Sequence, residues 1–441
     1  TKSILNTKTS ELYTNTIQIA HQLYEETQDQ KYIETAFSIA EKQKGIVLLE
    51  SFIDKKGKAS YGVPNDLIQR ESNFKNKIAY YRQQIIEFED DADKLATFKG
   101  YFNDYNLKLS QVKDTLKNFY SDYFEVEYQA AIATMEEVKQ EILRPEQAFI
   151  EYISTKDSMF YVFVIEKEKQ HFLKIPYEKT EKDALQLFRE RLSQPKLSRG
   201  RAKQSFREFT SSASDTYDYL FEPILKKLSP DVHSFIIVRA GQISTIPFEA
   251  LLSQKVTKSA VDFVNLPYLI HDYQFHYGYS ASLLLKNKEQ QSKLKSNNEC
   301  LAFAPVYEPI EDVTRGSAVA DRGNITPLIG TANEIKAISK YFNGNFDATS
   351  AASEERFKEK AKDYGILHLA MHGQSDVNEP AYAHLVFANS SFNSEEDGFL
   401  YQYEIANLDT KAQLAVLSAC ETGVGKDVEG EGVMSLGRAF M

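Results

Sequence analysis

Two residues of the sequence have the chemistry of a nucleophile and its base, Cys420 and His372. The apolar run ILHLAMHG ends at His372 and Gly373, and the run AQLAVLSACETG reaches Cys420 and breaks at Gly423. A free thiol has a pKa of about 8.5, so at neutral pH it reacts as a thiolate only when a base such as imidazole lies beside it. Gly373 and the turn after Cys420 would also leave backbone N–H groups free to stabilise an oxyanion. The pattern predicts nucleophilic attack by a cysteine.

The two runs are predicted to be neighbouring parallel strands. Both are continuously apolar, which is typical of parallel strands buried on both faces. In open α/β sheets, ligands bind outside the carboxyl ends of the strands, where His372 and Cys420 would lie. The 48 residues between them (420 − 372) suffice for a crossover connection. Because neighbouring strands lie about 4.8 Å apart, the imidazole and the thiol would be within reach of each other.

From Pro145 onward the sequence predicts an α/β fold. Short β-rich runs alternate with helical stretches such as DALQLFRERL and residues 205–228, as in a mostly parallel sheet flanked by helices. The first three runs, AFIEYI, FYVFVI and HFLKI, lie close together and predict an antiparallel meander. Residues 286–298 are polar and predict a loop that divides the α/β part into two halves.

Residues 11–142 predict helices, because apolar residues recur at three- and four-residue steps. Residues 32–52 have the small and aromatic positions of the last unit of a tetratricopeptide array. Two heptad repeats follow and predict an antiparallel helical hairpin. They comprise Phe74, Ile78, Tyr81, Ile85 and Phe88, then Leu109, Val112, Leu116 and Phe119.

The domain prediction has four segments. Residues 1–62 form a tetratricopeptide-like helical segment and residues 63–143 a helical hairpin with a linker. Residues 144–290 form the non-catalytic half of the α/β part, and residues 291–441 form its catalytic half.

Composition excludes several classes of function. The net charge of −11 and the pI of about 5.4 argue against a nucleic-acid partner, which needs clustered Lys and Arg. Cys300 and Cys420 are too few for a disulfide scaffold, so a cytoplasmic location is expected. No apolar stretch approaches the roughly 18 residues of a membrane helix, so no membrane partner is expected. The sequence contains no CxxC, HExxH or GxxxxGK[ST] motif, and we expect neither a metal nor a cofactor.

The two strand-end motifs resemble those of the CHAT family, a branch of the caspase and separase superfamily often found behind tetratricopeptide repeats. HLAMHG (368–373) matches the histidine motif of that family and LSACETG (417–423) its cysteine motif. Further matches are FIIVRAGQISTIPFEALL (235–252), YLIHDYQFHYGYSASLLL (268–285), PLIGTANEIKAISKYF (327–342) and DGFLYQYEIANLD (397–409).

The resemblance implies a caspase-like fold and a bacterial cysteine peptidase. In it, Cys420 is the nucleophile, His372 the general base, and the N–H groups of Gly373 and Cys420 the oxyanion donors. Relatives usually continue past the position of Met441, so the domain is expected to be cut short at its C-terminal end.

Other residues near the predicted pair are candidates for the substrate pocket or for support. Ser418 shares a strand face with Cys420, and Glu421 and Asp376 are further candidates for the pocket. His368 shares a face with His372 and is expected to be a buried supporting residue. Cys300 is expected to be a structural thiol.

The function predicted from these observations is a cytoplasmic cysteine endopeptidase acting on a protein substrate. Its N-terminal helices would bind a protein regulator or adaptor. Two alternatives stay open: a non-cleaving scaffold with the same fold, and an acyl transferase using the same pair. From His372 to Met441 there are 11 Asp and Glu against 3 Lys and Arg, a net charge of −8 (3 − 11). This predicts Arg, Lys or a neutral residue, not Asp, before the cleaved bond.

Overall fold

The structure is a computed structural model. It describes residues 2–44, 62–120, 132–155, 158–193, 200–257, 260–293, 297–307, 325–376, 379–388, 396–408, 410–419, 423, 425–428 and 432–441. The chain divides into two compact units. The first comprises Thr1–Leu49, Ala131–Glu289 and Asp427–Gly432, and the second comprises Glu50–Ala130, Gln290–Lys426 and Val433–Met441. The predicted boundaries at residues 62, 143 and 290 stay predictions.

The helices and strands are numbered in chain order. The helices are α1 (Lys2–Thr27), α2 (Gln30–Gln43), α3 (Asn65–Glu87), α4 (Ala92–Phe119), α5 (Met135–Glu137), α6 (Lys179–Ser193), α7 (Ala202–Leu220), α8 (Glu222–Leu225), α9 (Ala281–Lys293), α10 (Thr331–Ile338), α11 (Glu354–Lys360), α12 (Gln402–Asn407) and α13 (Leu436–Ala439). The strands are β1 (Gln147–Ser154), β2 (Met159–Ile165), β3 (Gln170–Pro176), β4 (Ser234–Val238), β5 (Gln274–Gly278), β6 (Cys300–Phe303), β7 (Gly344–Asp347), β8 (Ile366–Ala370), β9 (His372–Gln374), β10 (His384–Val386), β11 (Phe399–Tyr401), β12 (Leu414–Ser418), β13 (Gly425–Val428) and β14 (Gly432–Ser435).

The first unit is built on a five-stranded sheet in the order β3-β2-β1-β4-β5. Strands β1, β2 and β3 form an antiparallel meander, as predicted, and β4 and β5 continue the sheet in parallel. Apolar side chains of α6 and α7 join the core on one face, and those of α1 and α2 join the core on the other. Phe37 of α2, for example, meets the rings of Phe149 and Phe163 edge-on. The N-terminal helix pair therefore shares its core with this sheet.

Helix α9, which runs from Ala281 to Lys293, corrects the first part of the loop predicted over residues 286–298. Residues 297 and 298 are outside any helix or strand, and residues 294–296 lie outside the described residues. The start of α9 is capped from α2. The buried carboxylate of Glu41 accepts the N–H groups of Ala281 and Ser282 at 2.9 and 2.7 Å. Because the first N–H groups of a helix lack partners within it, this distant carboxylate helps to begin a helix that local composition does not indicate.

In the second unit, α3 and α4 form the predicted helical hairpin. Tyr81 of α3 stacks on Tyr101 and Tyr105 of α4, with ring centroids 5.0 and 5.7 Å apart. The prediction that Phe119 belongs to the seam is wrong, because its side chain is 77% exposed. Leu116 already packs against the first turn of α3 through Leu67, so no further turn of α3 remains to cover Phe119.

The main sheet of the second unit has four parallel strands in the order β12-β8-β6-β7. The central strands β6 and β8 are buried, as predicted. The described residues place β12 at the edge of this sheet, and its side chains are half-buried or exposed, which corrects the expectation of burial on both faces. A separate antiparallel sheet has the order β11-β10-β9.

The predicted strand through His372 is interrupted at Met371. Strand β8 ends at Ala370, and His372 begins β9, which pairs with β10 in the other sheet. His368 and His372 therefore do not share one strand face, and that prediction is wrong. Among the described residues, no helix is long and apolar enough to cross a membrane.

Candidate functional site

His372 lies just beyond the carboxyl end of β8, in the break between the two sheets of the second unit. Its register partner is Val386 of β10, and its side chain is half-buried. The chain turns out of the buried sheet here, which brings a polar side chain to the surface directly after a run of apolar residues. This is the sheet edge where an α/β fold builds its sites.

The imidazole of His372 is oriented by a backbone carbonyl. Its Nε2 lies 2.7 Å from the carbonyl oxygen of Thr326. A carbonyl oxygen can only accept, so in this bond Nε2 carries the hydrogen. In the neutral ring the other nitrogen, Nδ1, then has a free lone pair. The contact therefore selects the tautomer in which Nδ1 can act as a base.

Tyr307 is a second partner of His372, and the sequence reasoning missed it. The backbone N–H of His372 donates to the Tyr307 hydroxyl at 3.2 Å, and that hydroxyl donates to the carbonyl of Val386 at 2.9 Å. Burial raises the pKa of Tyr307 to about 12. Tyr307 follows the buried run CLAFAP, so the rule that sites gather at carboxyl strand ends could have identified it.

The strand that leads to the predicted nucleophile is in register with β8. Ser418 at the end of β12 pairs with Ala370 at the end of β8. Ser418 is half-buried. Cys420 and Glu421 lie outside the described residues. Gly373, the predicted oxyanion donor, lies in β9 and pairs with Leu385.

Asp376, predicted to line the pocket, has a contact typical of a turn. Its Oδ1 accepts the backbone N–H of Glu379 at 2.9 Å. The carboxylate of Glu379 in turn lies 3.6 Å from Arg82 of α3. Asp376 thus shapes the segment that follows β9, and its role in a pocket stays a prediction.

His368 and Cys300 lie in the interior of the second unit. His368 is 6% exposed, and its Nε2 lies 2.8 Å from Oε1 of Glu334 on α10. This contact ties α10 to β8, a few residues after Thr326. Cys300 is fully buried at the start of β6, and burial raises the pKa of its thiol to about 11.

Helix α3 contacts the segments that surround His372. The hydroxyl of Tyr382 donates to the carbonyl of Ala79 at 3.4 Å. The side chain of Gln83 donates to the hydroxyl of Tyr401 at 3.2 Å. Helix α12 is held as well, since Asn407 donates to Asn76 at 2.6 Å. The hairpin, which belongs to the second unit, is therefore in contact with other segments of that unit.

A half-buried lysine lies among three carboxylates beside β11. Lys358 lies 2.6 Å from Glu354, 2.8 Å from Glu396 and 2.8 Å from Glu404. Burial is the main reason that the pKa of Glu354 is raised well above its usual range. Its second oxygen accepts the N–H of Gly398 at 2.8 Å. Among the described residues, no group of three or more His, Cys, Asp and Glu could hold a metal ion.

Comparison with protein families identifies this architecture. A family model for the CHAT domain matches residues 210–441. The chain belongs to the CHAT family. The CHAT domain is a member of the caspase-like peptidase superfamily. The match begins within α7 and continues through His372 to Met441, so the meander β1–β3 and the helices α1–α4 lie outside it. A comparison with curated proteins gave no match.

Proposed function

We propose that the chain is a cysteine endopeptidase in which His372 is the general base and Cys420 the nucleophile. The hydrogen bond from His372 to Thr326 carries this proposal, because it leaves Nδ1 of the imidazole as a proton acceptor at the carboxyl end of the sheet. In the neutral ring, Nδ1 is then the nitrogen that can take a proton from a thiol.

The register of β8 and β12 supports the second half of the pair. Ala370 and Ser418 are register partners, and the sequence places His372 and Cys420 each two residues after them. Parallel neighbours lie about 4.8 Å apart. Because the two strands end in register, the residues that follow them can bring an imidazole and a thiol together.

The reaction would proceed through an acyl-enzyme. Nδ1 of His372 takes the proton from Sγ of Cys420, and the thiolate attacks the carbonyl carbon of the peptide bond, forming a C–S bond. The carbonyl oxygen becomes an oxyanion, held by the N–H groups of Gly373 and Cys420. The C–N bond then breaks, and the leaving amine takes the proton from His372. Water gives a proton to Nδ1 of His372 and attacks the thioester carbon. The C–S bond breaks and releases the acid, and the thiolate takes the proton back from His372.

The test is cleavage of a fluorogenic peptide panel by the activated full chain and by two variants, Cys420→Ala and Cys300→Ala. We expect Cys420→Ala to lower kcat by roughly 10⁴-fold or more and Cys300→Ala to retain the activity. Labelling with an iodoacetamide probe should require Cys420. Preferential labelling of Cys300 in the folded chain would contradict the assignment.

The same experiment separates the two alternatives. A non-cleaving scaffold would show no cleavage in the wild-type chain and identical partner binding by wild type and Cys420→Ala. An acyl transferase would form the same thioester, but with an added amine nucleophile its product would contain that amine in place of water. Mass spectrometry of the products distinguishes hydrolysis from transfer.

We propose further that a protein regulator bound by the N-terminal helices acts on the site through α3. The contacts of Gln83 with Tyr401 and of Asn76 with Asn407 support this route. Replacing both α3 residues in Asn76→Leu/Gln83→Leu should change the basal cleavage rate. Lys94→Leu on the exposed start of α4 is the matched control. Equal rates in all three proteins would refute the coupling.

For specificity, we propose that the pocket prefers Arg, Lys or a neutral residue before the cleaved bond. Part of the acidity counted in the sequence is already neutralised: Glu379 lies near Arg82, and Glu396 and Glu404 bind Lys358. The electrostatic preference should therefore be modest. Faster cleavage after Asp than after any other residue of the panel would refute it.

A further inference from the structure

The hydroxyl of Tyr307 connects the strand that bears His372 to the strand beside it. It accepts the backbone N–H of His372 at 3.2 Å and donates to the carbonyl of Val386 at 2.9 Å. His372 and Val386 are register partners of β9 and β10. A single hydroxyl thus bridges the two strands at the residue pair that carries the imidazole.

The ring of Tyr307 is held in place by an apolar cluster. It packs with Ile325, Tyr382 and Tyr403 against the buried side chains of Val386, Phe399 and Tyr401. Its centroid lies 5.3 Å from that of the imidazole, with the planes inclined at 47°. Because the phenol is buried, it stays protonated at neutral pH and remains a donor to Val386. The hydroxyl is therefore a fixed part of the site.

Tyr307 and Thr326 hold two different parts of His372. Tyr307 binds its backbone, and Thr326 binds its ring. A catalytic group must be held within about 0.5 Å of its productive position, and the two contacts hold both the backbone and the ring of His372. We infer that Tyr307 is a positioning residue for His372, whose hydroxyl sets the place of the general base and so keeps its ring on the carbonyl of Thr326, the contact that selects the tautomer. This inference rests on the proposed function.

The variant Tyr307→Phe tests it, because it removes the hydroxyl and keeps the ring. Tyr403→Phe is the matched control: its ring lies in the same cluster but stacks on Tyr401, with centroids 5.4 Å apart. We expect Tyr307→Phe to lower kcat about ten- to a hundredfold through misplacement of the base, with KM unchanged. Tyr403→Phe should keep both constants. An unchanged kcat in Tyr307→Phe would overturn the inference.

A second measurement does not depend on catalysis. In chains with ¹⁵N-labelled histidine and Cys420→Ala, NMR reports the tautomer of each neutral ring. We expect His372 to carry its proton on Nε2, and Tyr307→Phe to convert it to a mixture of tautomers. Identical ¹⁵N shifts with and without the Tyr307 hydroxyl would overturn the inference, even if the variant were less stable.

The two experiments also separate this inference from the proposed function. If the wild-type chain cleaves nothing, the proposed function fails, while the NMR comparison still decides whether Tyr307 positions His372. If Tyr307→Phe does not fold, 4-fluorophenylalanine at position 307 fills the space of the hydroxyl with a fluorine that cannot donate to Val386. Unchanged ¹⁵N shifts of His372 in that protein would then overturn the inference.

Discussion

The two units carry polar side chains at the carboxyl ends of parallel strands, and these side chains make different hydrogen bonds in the two units. In the first unit, Arg239 follows β4, lies 3.9 Å from the ring of Tyr277 on β5, and donates to the carbonyl of Ile246 at 2.8 Å. The Tyr277 hydroxyl donates to Glu249 and accepts the N–H of Phe248. These groups satisfy one another and hold a turn.

In the second unit the corresponding strand end carries His372. One nitrogen of its ring is held by Thr326, and the other remains an acceptor. The comparison teaches that a strand end is a place where a site can be built, and that the side chains decide whether it is one. A network of mutually satisfied hydrogen bonds stabilises the fold. A neutral imidazole that donates through Nε2 can accept a proton on Nδ1.

Both units also bury carboxylates beside a single lysine. In the first, Lys44 lies 3.2 Å from Glu151 and donates to the carbonyl of Tyr152, with Glu41 nearby. In the second, Lys358 binds three glutamates. Burial raises the pKa of Glu151 to about 8 and raises that of Glu354 as well. The pH dependence of stability therefore arises in both units.

The largest expected effect follows from His372→Gln. Removal of the general base should lower kcat by roughly 10³-fold or more, as for other groups that act as a unit with the nucleophile. The melting temperature should change little, because the side chain is half-buried. The control is His276→Gln on β5, in the five-stranded sheet of the first unit, where the histidine is exposed. Similar activity of the two variants would remove the contrast between the strand ends.

The next effect is on stability, in Lys358→Met. Three carboxylates would lose their cation. The loss of one partner from a fully buried ion pair costs about 3–5 kcal/mol, and we expect a smaller loss here because the side chain of Lys358 is 22% exposed. Because a raised pKa in the folded state means that folding binds protons, stability falls as pH rises. The variant should therefore lose more stability in alkaline than in mildly acidic buffer.

Urea unfolding of this variant at two pH values provides the measurement. Lys362→Met, which changes an exposed lysine two residues after α11, should behave like the wild type. A loss of stability in Lys358→Met that is greater in acid than in alkali would contradict the assignment of the raised pKa to the carboxylates.

Tyr277→Phe should cost the first unit about 1–3 kcal/mol, because it leaves the Glu249 carboxylate and the Phe248 N–H without their shared partner. The cleavage rate per folded molecule should not change. Tyr341→Phe, at a side chain that is 82% exposed, is the control for loss of a hydroxyl. A fall in kcat without a fall in stability would show that this hydrogen-bond network takes part in function.

The smallest effect is the loss of a pH slope in Glu151→Gln. The folded-state pKa of Glu151 is about 8 against an ordinary value of 4.5, so its contribution to stability is complete below about pH 4.5 and disappears as pH rises through about 8. The variant should lack this slope, which is at most about 1.4 kcal/mol per pH unit. Glu168→Gln, at an exposed turn residue, should retain it. Equal slopes in both variants would contradict burial of a titrating carboxyl.

Several strands could be predicted from the sequence, because an apolar run of strand length is a local signal. The meander and the central parallel strands follow from such runs, and the hairpin follows from the heptad repeats, which are a local signal as well. The prediction of a loop is wrong for residues 286–293, because α9 is capped by Glu41, roughly 240 residues away in the chain. No local pattern contains that information.

The site divides in the same way. The sequence by itself determined that His372 comes at the end of a buried strand and that its motif is that of the CHAT family, since residue types and spacing are local properties. Only the tertiary structure decided which nitrogen of His372 carries the hydrogen and which residues hold the side chain and the backbone. Thr326 and Tyr307 lie 46 and 65 residues before His372, and only the packing of the strand ends brings a carbonyl and a hydroxyl to its ring and backbone.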